Sequence, residues 1–346
     1  MTPSLFQKRM FAWFDHSGRK NLPWQRDKNP YRVWISEIML QQTQVSTVIP
    51  YFERFMLHFP TVERLAKAHE DDVLHLWTGL GYYQRARNLH RAAKMIVTSY
   101  QGNLPNTLDE LIQLPGIGRS TAGAILSIAF GKKAPILDGN VKRVLTRVFG
   151  ITGFANDTKT LEELWQIAEK FTPTKRVADY TQAIMDLGAT LCTRGQPQCA
   201  LCPFTLSCLA HELGIEKTLP QSKPRKVLPV RQMTVLLFQK GAEVLLEKRP
   251  SKGIWAGLWS LPEVSGAPTL SHIKKEIQDR FHCRIEKTRK MAPFRHTFSH
   301  FHVDIQPLLV MVKPFVAEDH SIWYNPSKPQ RVGLPAPIKT LLSTLK

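Results

Sequence analysis

Apolar residues change their period part-way along this chain, and the change dictates two different kinds of domain. Up to about Leu213 they recur at helical spacing, as in Leu108, Leu111, Ile112 and Leu114 or Val141, Val144, Leu145 and Val148, with Pro60, Pro105 and Pro173 between segments. Beyond Arg231 short strand-like runs take over at Thr234–Phe238, Val244–Glu247 and Val303–Val312, interrupted by one helical stretch at Ser271–Phe281. Between the two, residues 214–230 carry Pro220, Lys223, Pro224, Arg225, Lys226 and Pro229 with little apolar periodicity, the composition of an exposed linker. The expected fold is a mainly α domain over 1–213, a linker over 214–230 and an α+β domain over 231–346. With 346 residues, 43% of them hydrophobic, two cores can be filled and a disordered chain is excluded.

Charge narrows the partners. The 47 Lys and Arg against 28 Asp and Glu leave a net charge of +19, and both parts of the chain are basic. A polyanion is the natural partner, since each cation set on a phosphate releases counterions. Charge kept for solubility alone is the alternative. No stretch approaches the ~18 consecutive apolar residues that cross a bilayer. No Lys/Arg-rich amphipathic helix marks a membrane surface, and Met1–Lys20 lacks the apolar block of a signal peptide. A cytoplasmic location with no membrane partner is expected.

The cysteines carry the sharpest chemical signal. Cys192, Cys199, Cys202 and Cys208 fall within 17 residues, and only Cys283 stands apart, which does not suit a disulfide framework. Four thiolates so close can hold a tetrahedral zinc or a [4Fe–4S] cluster. Zinc ribbons pair two Cys-x2-Cys knuckles, and one such pair occurs here, so the spacing favours the cluster. A second signal is Leu114-Pro115-Gly116-Ile117-Gly118-Arg119-Ser120, between helical runs at Leu108–Gln113 and Thr121–Phe130. Gly116 and Gly118 let the backbone turn sharply and approach a ligand, and the N–H groups opening the second helix face an anion. Alone, such a turn is also an ordinary interhelical connection. Followed by Leu137-Asp138-Gly139-Asn140-Val141-Lys142-Arg143, it is far more specific.

These motifs resemble the helix–hairpin–helix DNA glycosylases with an iron–sulfur cluster. Within that superfamily the chain is similar to the MutY-type adenine DNA glycosylases, through Leu22-Pro23-Trp24, Glu37-Ile38-Met39-Leu40-Gln41-Gln42-Thr43, Gly79-Leu80-Gly81-Tyr82-Tyr83, the hairpin, the Asp138 turn and the cysteines, in family order. Trp255-Ala256-Gly257-Leu258-Trp259-Ser260-Leu261-Pro262 and Phe298-Ser299-His300 look like the family's Nudix-like module that reads 8-oxoguanine. The resemblance implies a base excision repair enzyme, acting as a monomer on duplex DNA with A:8-oxoguanine or A:G mispairs and holding a [4Fe–4S] cluster.

The residues can be weighed against that chemistry. Breaking an adenine N-glycosidic bond calls for a protonated carboxylic acid at the base and an ionised carboxylate beside an oxocarbenium-like sugar. Glu37, among Trp34, Ile35, Ile38, Met39 and Leu40, is expected to hold a proton; Asp138, before a helix starting near Asn140, is expected to be kept ionised by the helix dipole. A solvated helix-face carboxylate and a plain N-cap are the bland alternatives. By resemblance, Asn140 positions water or sugar, and Lys20, Trp24 and Gln182 line the adenine pocket. Gln42 fills the gap left by the flipped base, and Tyr82 inserts beside the lesion unless it is a core aromatic. Phe298, Ser299 and His300 form the lesion-reading loop. Arg143 and Lys142 read as phosphate contacts or a solvated helix face. Relatives that nick the strand carry a lysine where this chain has Ser120, so a monofunctional reaction with a water nucleophile is implied. The stretch Ser271–Arg280 lacks the Glu-rich cluster of a Nudix hydrolase, leaving a binding scaffold. His296, His300 and His302 suggest zinc by spacing but have no carboxylate or Cys companions. An endonuclease III-like glycosylase/lyase and a non-catalytic DNA-damage sensor are the competing functions.

Overall fold

The structure is a computed structural model that describes residues 1–221, 227–313 and 320–345. Lys223, Pro224, Arg225 and Lys226 of the expected linker lie outside the described residues. The chain separates into two compact units, Met1–Lys67 with Arg87–Pro224 and Ala68–Ala86 with Arg225–Lys346.

The helices follow one another as α1 (Pro3–Ser17), α2 (Pro30–Leu40), α3 (Val45–His58), α4 (Val62–Lys67), α5 (Glu70–Trp77), α6 (Gln84–Tyr100), α7 (Leu108–Gln113), α8 (Arg119–Phe130), α9 (Gly139–Val148), α10 (Thr158–Phe171), α11 (Val177–Thr190) and α12 (Leu209–Glu212). Their starts obey local chemistry. Asn29 caps α2 by accepting from Tyr31 N with Pro30 in the first turn, Thr107 accepts from Glu110 N at α7, and Asp138 accepts from Val141 N at α9. One core gathers Phe6, Met10 and Phe14 of α1, Val144 and Leu145 of α9, Ile184 and Leu187 of α11, and Phe204. Phe6 stacks on Phe204 at 4.5 Å, so the first helix is tied to the cysteine segment. Where α9 meets α11, a Cβ on Gly188 would lie 2.6 Å from Asn140 Cβ; only glycine lets the backbones come this close.

In the second unit the strands are β1 (Val230–Lys240), β2 (Glu243–Lys248), β3 (Trp259–Ser260), β4 (Glu263–Ser265), β5 (Arg284–Lys290), β6 (Phe294–Thr297), β7 (His302–Lys313) and β8 (Ser321–Tyr324). They form a mixed sheet with the path β3-β2-β1-β7-β5, in which β1 and β7 run parallel from Val230↔His302 to Phe238↔Val310. Helix α13 (Leu270–Phe281) packs Ile273, Ile277 and Phe281 against Leu236, Phe238 and Val310 of the sheet, and α14 (Ala336–Ser343) closes the chain. The expected strands at 234, 244 and 303 and the helix at 271 are all present, each somewhat longer than its apolar run.

The segment Ala68–Ala86 groups with this second unit, although its sequence is continuous with the helical part. Tyr83 Oη donates to Leu334 O at 2.7 Å, Leu334 N donates to Thr78 Oγ1, and Lys248 pairs with Asp71. Among the described residues no helix is long and apolar enough to cross a membrane.

Candidate active site

Helices α2, α8, α9 and α11 surround an open cleft of about 1030 Å³ lined by Glu37, Gln42, Ser120, Asp138, Asn140 and Gln182, among others. A smaller cavity of about 190 Å³, lined by Lys20, Gln25 and Ser36, shares Arg19, Trp24, Glu37 and Gln182 with the cleft. The half-buried carboxyl of Glu37 therefore faces both spaces.

Glu37 projects from α2 beside buried Trp34, Ile38 and Met39. Desolvation raises its pKa from the usual carboxyl range to about 8, and the negative charge of Asp138 adds to the rise. Asp138 is the N-cap of α9: Oδ1 accepts from Val141 N at 2.8 Å and Oδ2 from Asn140 Nδ2 at 3.3 Å. Burial raises Asp138 as well, opposed by the Val141 and Asn140 N–H groups and by the charge of Arg143. The expected N-cap is present, and the direction of the shift shows that desolvation outweighs the bonds at the helix N-terminus. The two carboxyls still differ in surroundings: the charge of Asp138 adds to the rise at Glu37, whereas two N–H groups and the charge of Arg143 oppose the rise at Asp138.

The hairpin meets the Asp138 turn through one bond. Ser120 Oγ accepts from Leu137 N at 3.0 Å, one residue before Asp138. Helix α8 starts at Arg119, two residues earlier than its apolar run. Gly116 sits at φ +85°, as a left-handed turn demands, whereas Gly118 has an ordinary φ and open space beyond its Cα, so the fold itself does not require glycine there. Gln41 Nε2 donates to Thr121 Oγ1 at 3.2 Å, joining the hairpin to the turn that presents exposed Gln42 at φ +57°.

Other expected residues find varied places. Trp24 is buried edge-on to Phe52, and Lys20 turns back to Asp15 O. Arg143 lines the cleft, but its guanidinium is largely committed, donating to Cys192 O, Gly188 O, Asn140 Oδ1 and Gly139 O. It braces α9 against α11 and the cysteine segment, which the reading as a free phosphate contact did not foresee. Tyr82 is 51% exposed, so it is not a core aromatic; its ring stacks over Arg85, which is buried beneath Trp77 and Tyr82. At the β6–β7 turn, Phe298 N donates to Phe301 O and the two rings stack at 4.7 Å, with Trp255 alongside. Ser299 and His300 are exposed and hydrogen-bonded to each other at 3.2 Å.

Cys192, Cys199, Cys202 and Cys208 line one further cavity. Burial pushes the Cys202 thiol up to about 12 and raises Cys199 and Cys208, so at these three positions burial disfavours the thiolate. A bound metal would favour it, and the donor set suits a metal cluster. Arg147, fully buried and missed in the sequence, donates to Cys192 Sγ at 3.3 Å and to the carbonyls of Thr193, Arg194 and Leu219. Asp186 and Arg19 were missed too. Asp186 lies 0% exposed in α11 and receives Arg19 and Gln182. Nothing local marks either residue as more than a surface charge.

Residues 35–170 match the HhH-GPD superfamily base excision DNA repair protein, and 233–344 match the NUDIX domain. The chain is 40% identical over 350 residues to the adenine DNA glycosylase of Buchnera aphidicola (Acyrthosiphon pisum), covering 100% of this chain and 99% of that one. This chain belongs to the adenine DNA glycosylase family. The human adenine DNA glycosylase is 36% identical over 87% of this chain and 66% of its own length. A thermostable thymine-DNA glycosylase superposes on this adenine DNA glycosylase family member with a TM-score of 0.56 at 28% identity, over 61% of this chain and 97% of that one. An endonuclease III in a non-covalent complex with DNA gives 0.53 at 22%, over 63% and 100%, a likeness of fold.

Proposed function

We propose that this chain hydrolyses the N-glycosidic bond of adenine paired with 8-oxoguanine or guanine in duplex DNA, leaving an abasic site. It is a DNA N-glycosylase of the base excision repair class and acts on duplex DNA. The observation that carries the finer reading is the pair of carboxyls on one cleft, one set among apolar side chains and the other held by hydrogen bonds at a helix N-terminus. Glu37, held protonated to about pH 8, donates to the flipped adenine and makes it a neutral leaving group. Asp138 is the carboxylate that faces the cationic sugar, its oxygens oriented by Val141 N and Asn140, whose hydrogen bonds favour its charged form. Lys20, Trp24 and Gln182 hold the base, Gln42 and Tyr82 occupy the disturbed stack, and the Gly116–Gly118 turn steadies the backbone. Ser120 supplies no amine, so water is the nucleophile and the strand is not cut. The absence of that amine disfavours the endonuclease III-like lyase.

Residues 1–213 do the chemistry and 231–346 read the lesion through Phe298, Ser299 and His300, with one chain sufficing. The four cysteines would hold a [4Fe–4S] cluster, which would fix the shape of the 192–208 segment, and Arg147 donates to Cys192 Sγ. The test is strand cleavage on duplexes with adenine opposite 8-oxoguanine, guanine, cytosine or thymine. Cleavage only after alkali, fastest opposite 8-oxoguanine and next opposite guanine, is the expected result. Cleavage without alkali, or equal rates on all four, would overturn the reading.

A further inference from the structure

The carboxylate of Asp186 has no place in the chemistry above, yet it is the most heavily bonded anion beside the cavity. It receives Arg19 N at 2.8 Å, Arg19 Nε at 3.0 Å, Arg19 Nη2 at 2.6 Å and Gln182 Nε2 at 2.8 Å, with its side chain 1% exposed. Arg19 and Gln182 line both the cleft and the smaller cavity, as Glu37 does, whereas Asp186 lines neither. It stands behind the wall and holds two of its members.

That placement fixes an otherwise ambiguous group. An amide can present its oxygen or its NH2, and the two look alike in outline. With Nε2 drawn back onto a carboxylate, Gln182 has its Oε1 on the side away from Asp186, and among the described residues Oε1 has no hydrogen-bond partner. Turning the amide over would set Oε1 against the carboxylate, acceptor to acceptor. Gln25, the other amide of the cavity, is already spent on Leu22 N and Arg19 O. The exposed edge of adenine carries an acceptor at N7 and a donor at its 6-amino group; a 6-oxo purine offers an acceptor there instead.

We propose that Asp186 is a positioning residue that makes the cavity select a 6-amino purine, by locking the Gln182 amide with Oε1 toward the base and anchoring Arg19 in the wall. The inference rests on the adenine-excising reading. Selection arises because a 6-oxo purine would meet a fixed acceptor that cannot turn to answer it, and a buried unmet polar pair is costly.

The experiment compares single-turnover release of adenine and of hypoxanthine placed opposite 8-oxoguanine. For Asp186→Asn with full visible cluster absorbance, the adenine-to-hypoxanthine ratio should fall about tenfold or more, the loss of one hydrogen bond to a charged group. Combining Asp186→Asn with Gln182→Glu restores a fixed acceptor, because the new amide donates to the new carboxylate, and should return the ratio to within about threefold of the wild type. Gln182→Leu keeps the Arg19–Asp186 pair and should collapse the ratio by itself. An unchanged ratio in folded Asp186→Asn, failure of the double variant to recover, or a wild-type ratio in Gln182→Leu would each overturn the proposal. Should Asp186→Asn not fold, Gln182→Leu decides. Wild-type protein that released no adenine would instead sink the underlying reading.

Discussion

The cleft around Glu37 and the turn at Phe298–His300 handle polar groups in opposite ways. In the cleft, carboxyls are drawn out of water until Glu37 titrates near 8, and each orienting contact is an internal bond. At the turn, Ser299 and His300 stay exposed over a bed of Phe298, Phe301 and Trp255. The acidic groups near α13 take a third course, with Arg280 pairing Glu247 and Glu276 and Arg249 pairing Glu263. The lesson is one of magnitude. Groups held against water have strong, fixed fields and large consequences when changed, while exposed groups exchange water for ligand and carry a small difference.

The largest expected effect tests the buried side. Asp138→Asn and Glu37→Gln should each lower the excision rate by roughly 10²–10⁴, the range for removing an acid or base, with binding to lesion duplex nearly intact. A variant with full activity would take that residue out of the chemistry and make the cleft resemble the turn.

Next comes pH. Excision that needs protonated Glu37 should fall as pH rises through about 8, and because it also needs ionised Asp138 it should fall again toward acid pH. Glu37 also gives a signed stability effect. From 4.5 to about 8 the folded chain keeps a proton that the unfolded chain gives up, so stability falls with rising pH across that window. Glu37→Gln removes this slope and should stabilise the fold at pH 8 by the order of a few kcal/mol. Thermal melts of both proteins at pH 5 and pH 8 check it; parallel pH dependence would mean that Glu37 ionises normally.

The smallest effect belongs to the turn. Ser299→Ala with His300→Ala should reduce the preference for 8-oxoguanine over guanine by about tenfold, one or two base-edge contacts, and barely change excision opposite guanine. Melting should stay put, since neither side chain is buried. An unchanged ratio would place lesion reading elsewhere.

Much of the architecture was legible in the sequence because it rests on local signals. The helical period, the glycine turn and the capping residues gave α7, α8 and α9 nearly to their ends, and short apolar runs gave β1, β2 and β7. Strand β5, Arg284–Lys290, escaped notice because five of its seven residues are charged and it earns its place by pairing along β7. The grouping of Ala68–Ala86 with the second unit escaped for a similar reason, as it depends on bonds to Leu334, some 250 positions away.

The sequence by itself determined the two domain types, the clustered cysteines and the two carboxylates, since each is written in spacing or in residue type. Tertiary structure decided what each charge does. Asp138 caps its helix as expected, yet burial moves it upward against that cap. Arg143 reads as a phosphate contact or a solvated helix face and Arg147 and Asp186 carry no local signal, yet the fold turns all three inward onto carbonyls, a cysteine sulfur and an amide. The physical reason is that desolvation and hydrogen-bond partners depend on which distant backbones come within 3 Å, and no local pattern of residues encodes that distance.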